Sequence, residues 1–475
     1  MSLVSGEYGM FLDGTFHTAG GVFSVEDPAT GDTIATVASG NADDVGTAIE
    51  SAINAQREWE ALDPQDRGTI LQDVATAVEA AEDQIAEIVT QENGRPIGQS
   101  KAIAGGTSNY IAYFADLADK IEGESIPVPG ERHAFTRREP LGVSAQILPW
   151  NAPVLLCARG VGPALAAGNA VVAKPAPEAP LGILELARTM SEAGLPDGLF
   201  NVVPGGGETG EALSTDPRID EVTFTGSVPT GKRVGRAAVD NLVPMALELG
   251  GKSPAIVFPD ADIEAAVDGA IHAITMMSGQ VCFATTRLFV HEDVYEEFRS
   301  SLLEAVDQIE IGPGRDNPDL GPVISGEALS NIETYVTEAI ANGATAISGG
   351  SRLDRKGHFF EPTIIEGAAD DAPISCEEVF GPVVNLYEFS TEEEAIRRGN
   401  DTDYGLYATV WTDSVGRAHR VANALEAGSV MVNQYSGSTP ATPFGGYKQS
   451  GIGREKGKQA LDHYTQLKTV NIDIS

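Results

Sequence analysis

The chain has 475 residues, 42% of them apolar and 21% charged, enough to bury at least two hydrophobic cores, which excludes a peptide hormone or a disordered tail. Its 31 basic against 69 acidic residues give a formal charge of −38, so nucleic-acid phosphate and anionic lipid are repelled rather than bound. No apolar run approaches the roughly 18 residues that a membrane-spanning helix needs.

The acids are dispersed, as in Asp43-Asp44, Asp370-Asp371 and Glu392-Glu393-Glu394, and only ten of the basic residues are lysine. Such a surface self-repels in dilute buffer and is screened at molar salt, where the Debye length falls to about 3 Å. A halophilic cytoplasm is the reading; an ordinary acidic enzyme is the alternative. Three cysteines, Cys157, Cys282 and Cys376, leave one over in any disulfide scheme and fit a reducing compartment. Met1 to Met10 carries acid and glycine instead of a basic stretch followed by an apolar one, so no signal peptide is read.

In chain order, Asp43–Trp59 and Gln65–Gln91 repeat apolar residues at helical spacing and read as long surface helices, the second with a stripe of Ile70, Leu71, Val74, Ala77 and Val78. Short strands are expected at Gly142–Leu148, Ala170–Ala173, Phe200–Val203, Glu221–Phe224, Pro244–Leu249 and Ser253–Phe258. Helical stretches such as Leu181–Ala193 and Thr230–Val239 separate several of them, and that alternation implies a parallel sheet. A second α/β series follows, with helices near Ile263–Met277 and Val294–Ile309, strands near Arg287–Val290 and Val383–Phe389, and a Gly-rich finish from Gly437 to Gly457. Two α/β domains sharing a broad interface place the default ligand site in the cleft between them.

Several stretches carry chemistry. Gly205-Gly206-Gly207-Glu208-Thr209-Gly210 has the spacing that lets backbone approach a pyrophosphate, or else is a glycine-rich turn capping a helix. Phe224-Thr225-Gly226-Ser227 lies at a strand-to-helix junction, where free N–H groups and the helix dipole favour an anion. Cys282 follows an apolar helix in Gly279-Gln280-Val281-Cys282-Phe283; it is an approachable nucleophile or an inert core thiol. Glu248 ends an apolar strand, where desolvation raises a carboxylate towards the range of a general base; the alternative is a solvated strand end. Asn151, between Trp150 and Pro153, presents a neutral hydrogen-bond donor on a rigid turn, or is simply a turn residue. No metal-ligand set is read.

Pro149-Trp150-Asn151, Lys174-Pro175-Ala176, Phe224-Thr225-Gly226-Ser227, Glu248-Leu249-Gly250-Gly251-Lys252, Gly279-Gln280-Val281-Cys282, Glu378-Val379-Phe380-Gly381-Pro382 and Pro443-Phe444-Gly445-Gly446-Tyr447-Lys448 together resemble the aldehyde dehydrogenase superfamily, in its order and over nearly the whole chain. With the Glu248 position filled, the resemblance is to the non-acylating, NAD(P)-dependent branch. It implies a Rossmann-like cofactor domain from residues 1–122 and 142–250, a catalytic α/β domain from 251–448, and a small oligomerisation arm from 123–141 and 449–475. A cytoplasmic homodimer or homotetramer acting on a small-molecule aldehyde is expected.

By the same resemblance Cys282 attacks the aldehyde, the Asn151 amide and the Cys282 N–H hold the oxyanion, and Glu248 activates the hydrolytic water. Lys174 and Glu378 are implied at the riboses and Ser227 at the pyrophosphate, with Gly207 and Gly226 in the glycine turns. Trp150, Leu249 and Phe380 are implied against the dinucleotide. Many NAD-preferring members carry Glu three positions after the lysine; here Pro177 stands there and Glu178 follows, so NAD is favoured over NADP without excluding it. Arg159, eight residues after Asn151, is expected to project into the aldehyde tunnel and meet a substrate carboxylate, or else to form a structural ion pair. Leu156, Val281, Phe283, Met277 and Phe444 are the apolar tunnel candidates. The alternative activity is a semialdehyde dehydrogenase using Arg159. The alternative class is a non-catalytic protein that kept the fold.

Overall fold

The strands expected between residues 142 and 250 form one sheet in the computed structural model, which describes residues 6–437 and 439–475. Residues 1–5, the start of the segment expected in the cofactor domain and of the stretch read for a signal peptide, and Ser438 in the Gly-rich finish lie outside the described residues. The sheet order is Gly451–Ile452, Met245–Glu248, Glu221–Thr225, Val143–Ile147, Ala170–Lys174, Phe200–Val202, Met10–Leu12 and Thr15–His17. Its five central strands are parallel and its edges antiparallel. Val143–Ile147 and Ala170–Lys174 are buried along their whole length, as strands covered by helices on both faces must be.

In sequence terms the parallel strands run 3-2-1-4-5, the doubly wound order, which reverses direction between Val143–Ile147 and Glu221–Thr225. Such sheets bind ligands beyond the carboxyl ends of the strands at that reversal. The loops there are Leu148–Ala152 and Gly226-Ser227, so the topology alone brings two of the expected motifs together.

Met245–Glu248 is the last parallel strand on one side of the first sheet, and Pro254–Val257, five residues on, sits inside a second one. That sheet has the order Thr345–Ser348, Thr363–Glu366, Val383–Phe389, Arg287–His291, Pro254–Val257, Tyr407–Trp411 and Ser429–Val432, parallel except at its first pair. The segment Leu249–Ser253 therefore crosses from one α/β domain to the other. A third sheet of Ser125–Ile126, Arg132–Pro140 and Thr465–Asp473 forms an antiparallel arm. Residues 449–475 serve two sheets: Gly451 and Ile452 pair with Glu248 and Leu247, Ala460, Leu461 and Tyr464 are buried in the cofactor-domain core, and only Thr465–Asp473 runs in the arm.

Two expectations about helices are corrected. The stretch 65–91 is two helices, Pro64–Ala80 and Glu82–Asn93, broken at Ala81, whose ψ of 4° leaves the helical region. Both lie at the surface as expected, with Leu71, Val74 and Val78 of the stripe buried and Asp66, Thr69, Asp73, Thr76 and Glu79 exposed on the opposite face. The helix expected to reach Met277 ends at Thr275, because Met277 and Ser278 adopt left-handed backbone angles.

Candidate functional site

The nucleophile candidate sits on the loop that leaves this interrupted helix. Met277 (φ 50°), Ser278 (φ 56°) and Gly279 (φ 72°) turn the chain sharply, and a Cβ on Gly279 would clash with the Gly381 carbonyl. The Gln280 side chain then fixes the loop, with Nε2 donating to the Met277 carbonyl at 2.9 Å and Oε1 accepting from the Ile324 N–H at 2.9 Å. Cys282 is half-buried two residues later. A Cβ on Gly251 would strike the Cys282 carbonyl and one on Gly250 the Glu378 carboxylate, so the paired glycines let the interdomain crossing run directly beneath the thiol loop.

Asn151 reaches the same loop from the reversal point of the first sheet. Its Nδ2 donates to the Gln280 carbonyl at 3.0 Å, and the side chain is buried. Glu248, at the end of its strand, is 4% exposed, and its Oε2 has no hydrogen-bond partner. Burial holds this carboxyl well above the usual carboxylate range; the charge of Glu455 adds to the rise, while Arg159 and Arg454 oppose it. Burial likewise pushes the Cys282 thiol up, aided by Glu378 and Glu248 and opposed by Arg159. The bond from Asn151 to the Gln280 carbonyl, and the close approach of Gly251, three residues after Glu248, to the Cys282 carbonyl, bring the three segments to one neighbourhood.

Around the sulfur lies an aromatic wall. Cys282, Phe283 and Met431 pack on buried Leu406, Tyr407 and Phe444. The Phe283 ring lies 5.3 Å from Tyr407, 6.2 Å from Tyr435 and 6.2 Å from Phe444. Val281 is buried beside Cys282 in the chain, and Leu156 packs on the core around the first sheet. Met277 packs there too, and also lines a separate cavity of about 620 Å³ with Met276 and His272. The guanidinium of Arg159 stands 4.8 Å above the Phe444 ring and forms an ion pair with Glu455 at 2.8 Å.

Glu455 escaped the sequence reading, as did Tyr407 and Tyr435. It lies in Gly453-Arg454-Glu455-Lys456, a charged run of the kind that normally faces water. What buries it is a two-residue bridge, Phe444 and Glu455 exchanging backbone hydrogen bonds of 2.8 Å each way. The only signal for it was that the run abuts the Phe444 motif.

The residues expected at the cofactor lie at strand ends and helix starts of the first sheet and on one loop of the second domain. Lys174 ends its strand buried, its Nζ donating to the carbonyls of Pro175 (2.7 Å) and Gly205 (3.1 Å); burial depresses it to about 8, and Glu178 opposes that. Gly207 opens the helix Gly207–Thr215 behind Gly206, and a side chain at either would meet open space. Gly226 donates to the Glu248 carbonyl at 3.0 Å, and Ser227 begins the helix Val228–Asn241 without a side-chain cap. Leu249 covers Gly231 of that helix. From the second domain, Glu378 accepts from the Gly251 N–H at 3.0 Å, burial raising it to about 7, and Phe380 (φ 54°) meets Trp150 edge-on at 5.4 Å. Trp150, Glu378 and Phe380 line a cavity of about 610 Å³.

The helix N-terminus after Ser227, without a side-chain cap at the reversal of a doubly wound sheet, and a thiol on the loop of a second α/β sheet suit a nucleotide-dependent oxidoreductase. The chain belongs to the aldehyde dehydrogenase family, whose profile matches residues 16–470. It is similar to an aldehyde dehydrogenase from Bacillus cereus solved with NAD+, at 39% identity over 99% of this chain and 97% of that one, with a TM-score of 0.97. It is also similar to an NADP-dependent enzyme of E. coli (36% identity, 98% of each chain, TM-score 0.97). A third likeness is to the indole-3-acetaldehyde dehydrogenase AldA of P. syringae (37% identity, 98% of this chain and 96% of that one, TM-score 0.96).

Proposed function

We propose that this chain oxidises an aldehyde to its carboxylic acid with NAD or NADP, using Cys282 as nucleophile, Asn151 as oxyanion donor and Glu248 as general base. The observation that carries the reading is that Asn151 bonds the Gln280 carbonyl two residues before Cys282 while the chain leaving Glu248 presses Gly251 against the Cys282 carbonyl.

Attack by the Cys282 thiolate on the carbonyl carbon forms a C–S bond and moves the π electrons onto oxygen. The Asn151 amide has two N–H bonds; one is committed to the Gln280 carbonyl, which orients the other for that oxyanion, beside the Cys282 N–H. The chemistry supplied by the bound dinucleotide is acceptance of the hydride that leaves the carbon. The resulting Cys282 thioester is hydrolysed by water whose proton passes to Glu248, a buried carboxylate with a free oxygen to receive it.

The dinucleotide fits this seam. The space over Gly206 and Gly207 is open, the helix N-termini at Gly207 and Val228 lack side-chain caps, and Glu378 keeps one oxygen free of the Gly251 bond. Lys174, Gly207, Gly226 and Ser227 hold its adenosine and phosphate portions, and Trp150, Leu249, Glu378 and Phe380 the rest. Lys174 already donates to two carbonyls and feels Glu178, which favours NAD over a cofactor with an added phosphate.

The aromatic wall favours an apolar or aryl aldehyde. A semialdehyde reading loses its support, because the Arg159 charge is already matched by Glu455. The arm exposes Leu467, Ile472 and Ile474, apolar surface that supports a homo-oligomer. Initial rates on benzaldehyde and succinic semialdehyde, each with NAD and with NADP, test the reading: benzaldehyde with NAD is expected to give the highest kcat/KM, and absence of aldehyde oxidation with either cofactor overturns it.

A further inference from the structure

A buried turn outside the reacting groups ties the two loops that carry them. Helix Glu82–Asn93 ends on Gly94 (φ 81°), and the flanking Asn93 and Arg95 are 2% and 1% exposed. Arg95 donates twice to the Asn93 side-chain oxygen, from Nε at 3.0 Å and from Nη2 at 2.9 Å. Nη2 also donates to the backbone carbonyl of Asn151, and Asn93 Nδ2 donates to that of Trp150 at 2.8 Å. Both carbonyls of the Trp150-Asn151 segment are thus held by one turn.

The opposite side of the turn grips the nucleophile loop. Glycines 314 and 321 lie against it so closely that a Cβ on Gly314 would strike the Arg95 carbonyl, and one on Gly321 would come within 2.6 Å of the Gly94 carbonyl. Gly321 accepts from the Ser278 hydroxyl at 2.9 Å, and Ile324 donates to Gln280 Oε1. A guanidinium held by two bonds to one amide has little rotational freedom, so the carbonyl it grips inherits that rigidity.

We propose that Arg95, braced by Asn93, is a positioning residue that sets the Asn151 amide in register with the Cys282 sulfur. The proposal rests on the reading of Asn151 as oxyanion donor. A displacement of about 1 Å at such a donor costs on the order of 10²-fold in rate.

The test is a double-mutant cycle of R95M and N151A on kcat in the full-length protein, with NAD affinity and circular dichroism followed in parallel. R95M is expected to lower kcat on the order of 10²-fold with NAD affinity unchanged, and to add less than about threefold to the loss already caused by N151A. R95K, which keeps a cation able to reach the Asn151 carbonyl, is expected to recover about tenfold over R95M; should R95M fail to fold, R95K takes its place in the cycle, with a loss confined to the Asn151 background. Full additivity with N151A, or unchanged kcat in the Arg95 variant, overturns the positioning role alone. An N151A protein with wild-type kcat overturns the oxyanion reading and the proposal with it.

Discussion

Arg159 and Glu455 form a buried ion pair of 2.8 Å beside Phe444, with side chains 10% and 6% exposed. The pair stands within the field of Glu248 and Cys282: Arg159 lowers both groups and Glu455 raises both. Removing the arginine alone leaves a buried carboxylate without its partner, at a cost of about 3–5 kcal/mol. R159L is therefore expected to lower Tm and to move the acid limb of the kcat–pH profile upward, since Glu248 and Cys282 both lose the charge that favours their anions. The ratio of kcat/KM for succinic semialdehyde to that for benzaldehyde is expected to stay constant. A selective loss on the semialdehyde would restore Arg159 as a substrate ligand.

Glu248→Gln removes the base and keeps the size and shape of the side chain. Stopped-flow absorbance is expected to show a burst of reduced cofactor, followed by turnover slowed about 10²–10⁴-fold. An unchanged steady rate contradicts the assignment.

A second buried carboxyl predicts how stability depends on pH. Glu221 accepts from the hydroxyls of Ser144 and Thr223, and burial raises it to about 8 against those two bonds. Its folded value lies above its unfolded value near 4.5, so between those pH values the native state binds the extra proton and the stability this group contributes falls as pH rises. E221Q is expected to match wild type in its response below pH 4.5 and to lose less Tm than wild type between pH 5 and 8. Parallel Tm curves for the two proteins contradict this.

The net charge of −38 predicts that added KCl raises Tm and activity, as the Debye length shrinks from about 10 Å at 0.1 M to about 3 Å at 1 M. A Tm that falls steadily with KCl removes the halophilic reading.

The strand positions and the motifs at Asn151, Glu248 and Cys282 were legible because strands buried on both faces read as short apolar runs and because a strand end followed by glycine marks a loop. Their convergence was legible only through the family resemblance; no spacing rule brings residues 151, 248 and 282 to one seam. Glu455 was hidden because its burial depends on a bridge to Phe444. The break at Ala81 and the left-handed pair Met277-Ser278 were hidden because neither sequence contains proline, and only the second is followed by a glycine. Arg159 has a helical position that sequence gives and an ionic partner, some 300 residues on, that it does not.

The most direct test of the central claim is mass spectrometry of the E248Q protein quenched after mixing with benzaldehyde and NAD. The account predicts an acyl adduct on the peptide that contains Cys282 and on no other. Reduced cofactor formed without any adduct, or an adduct on Cys157 or Cys376 instead, would contradict it.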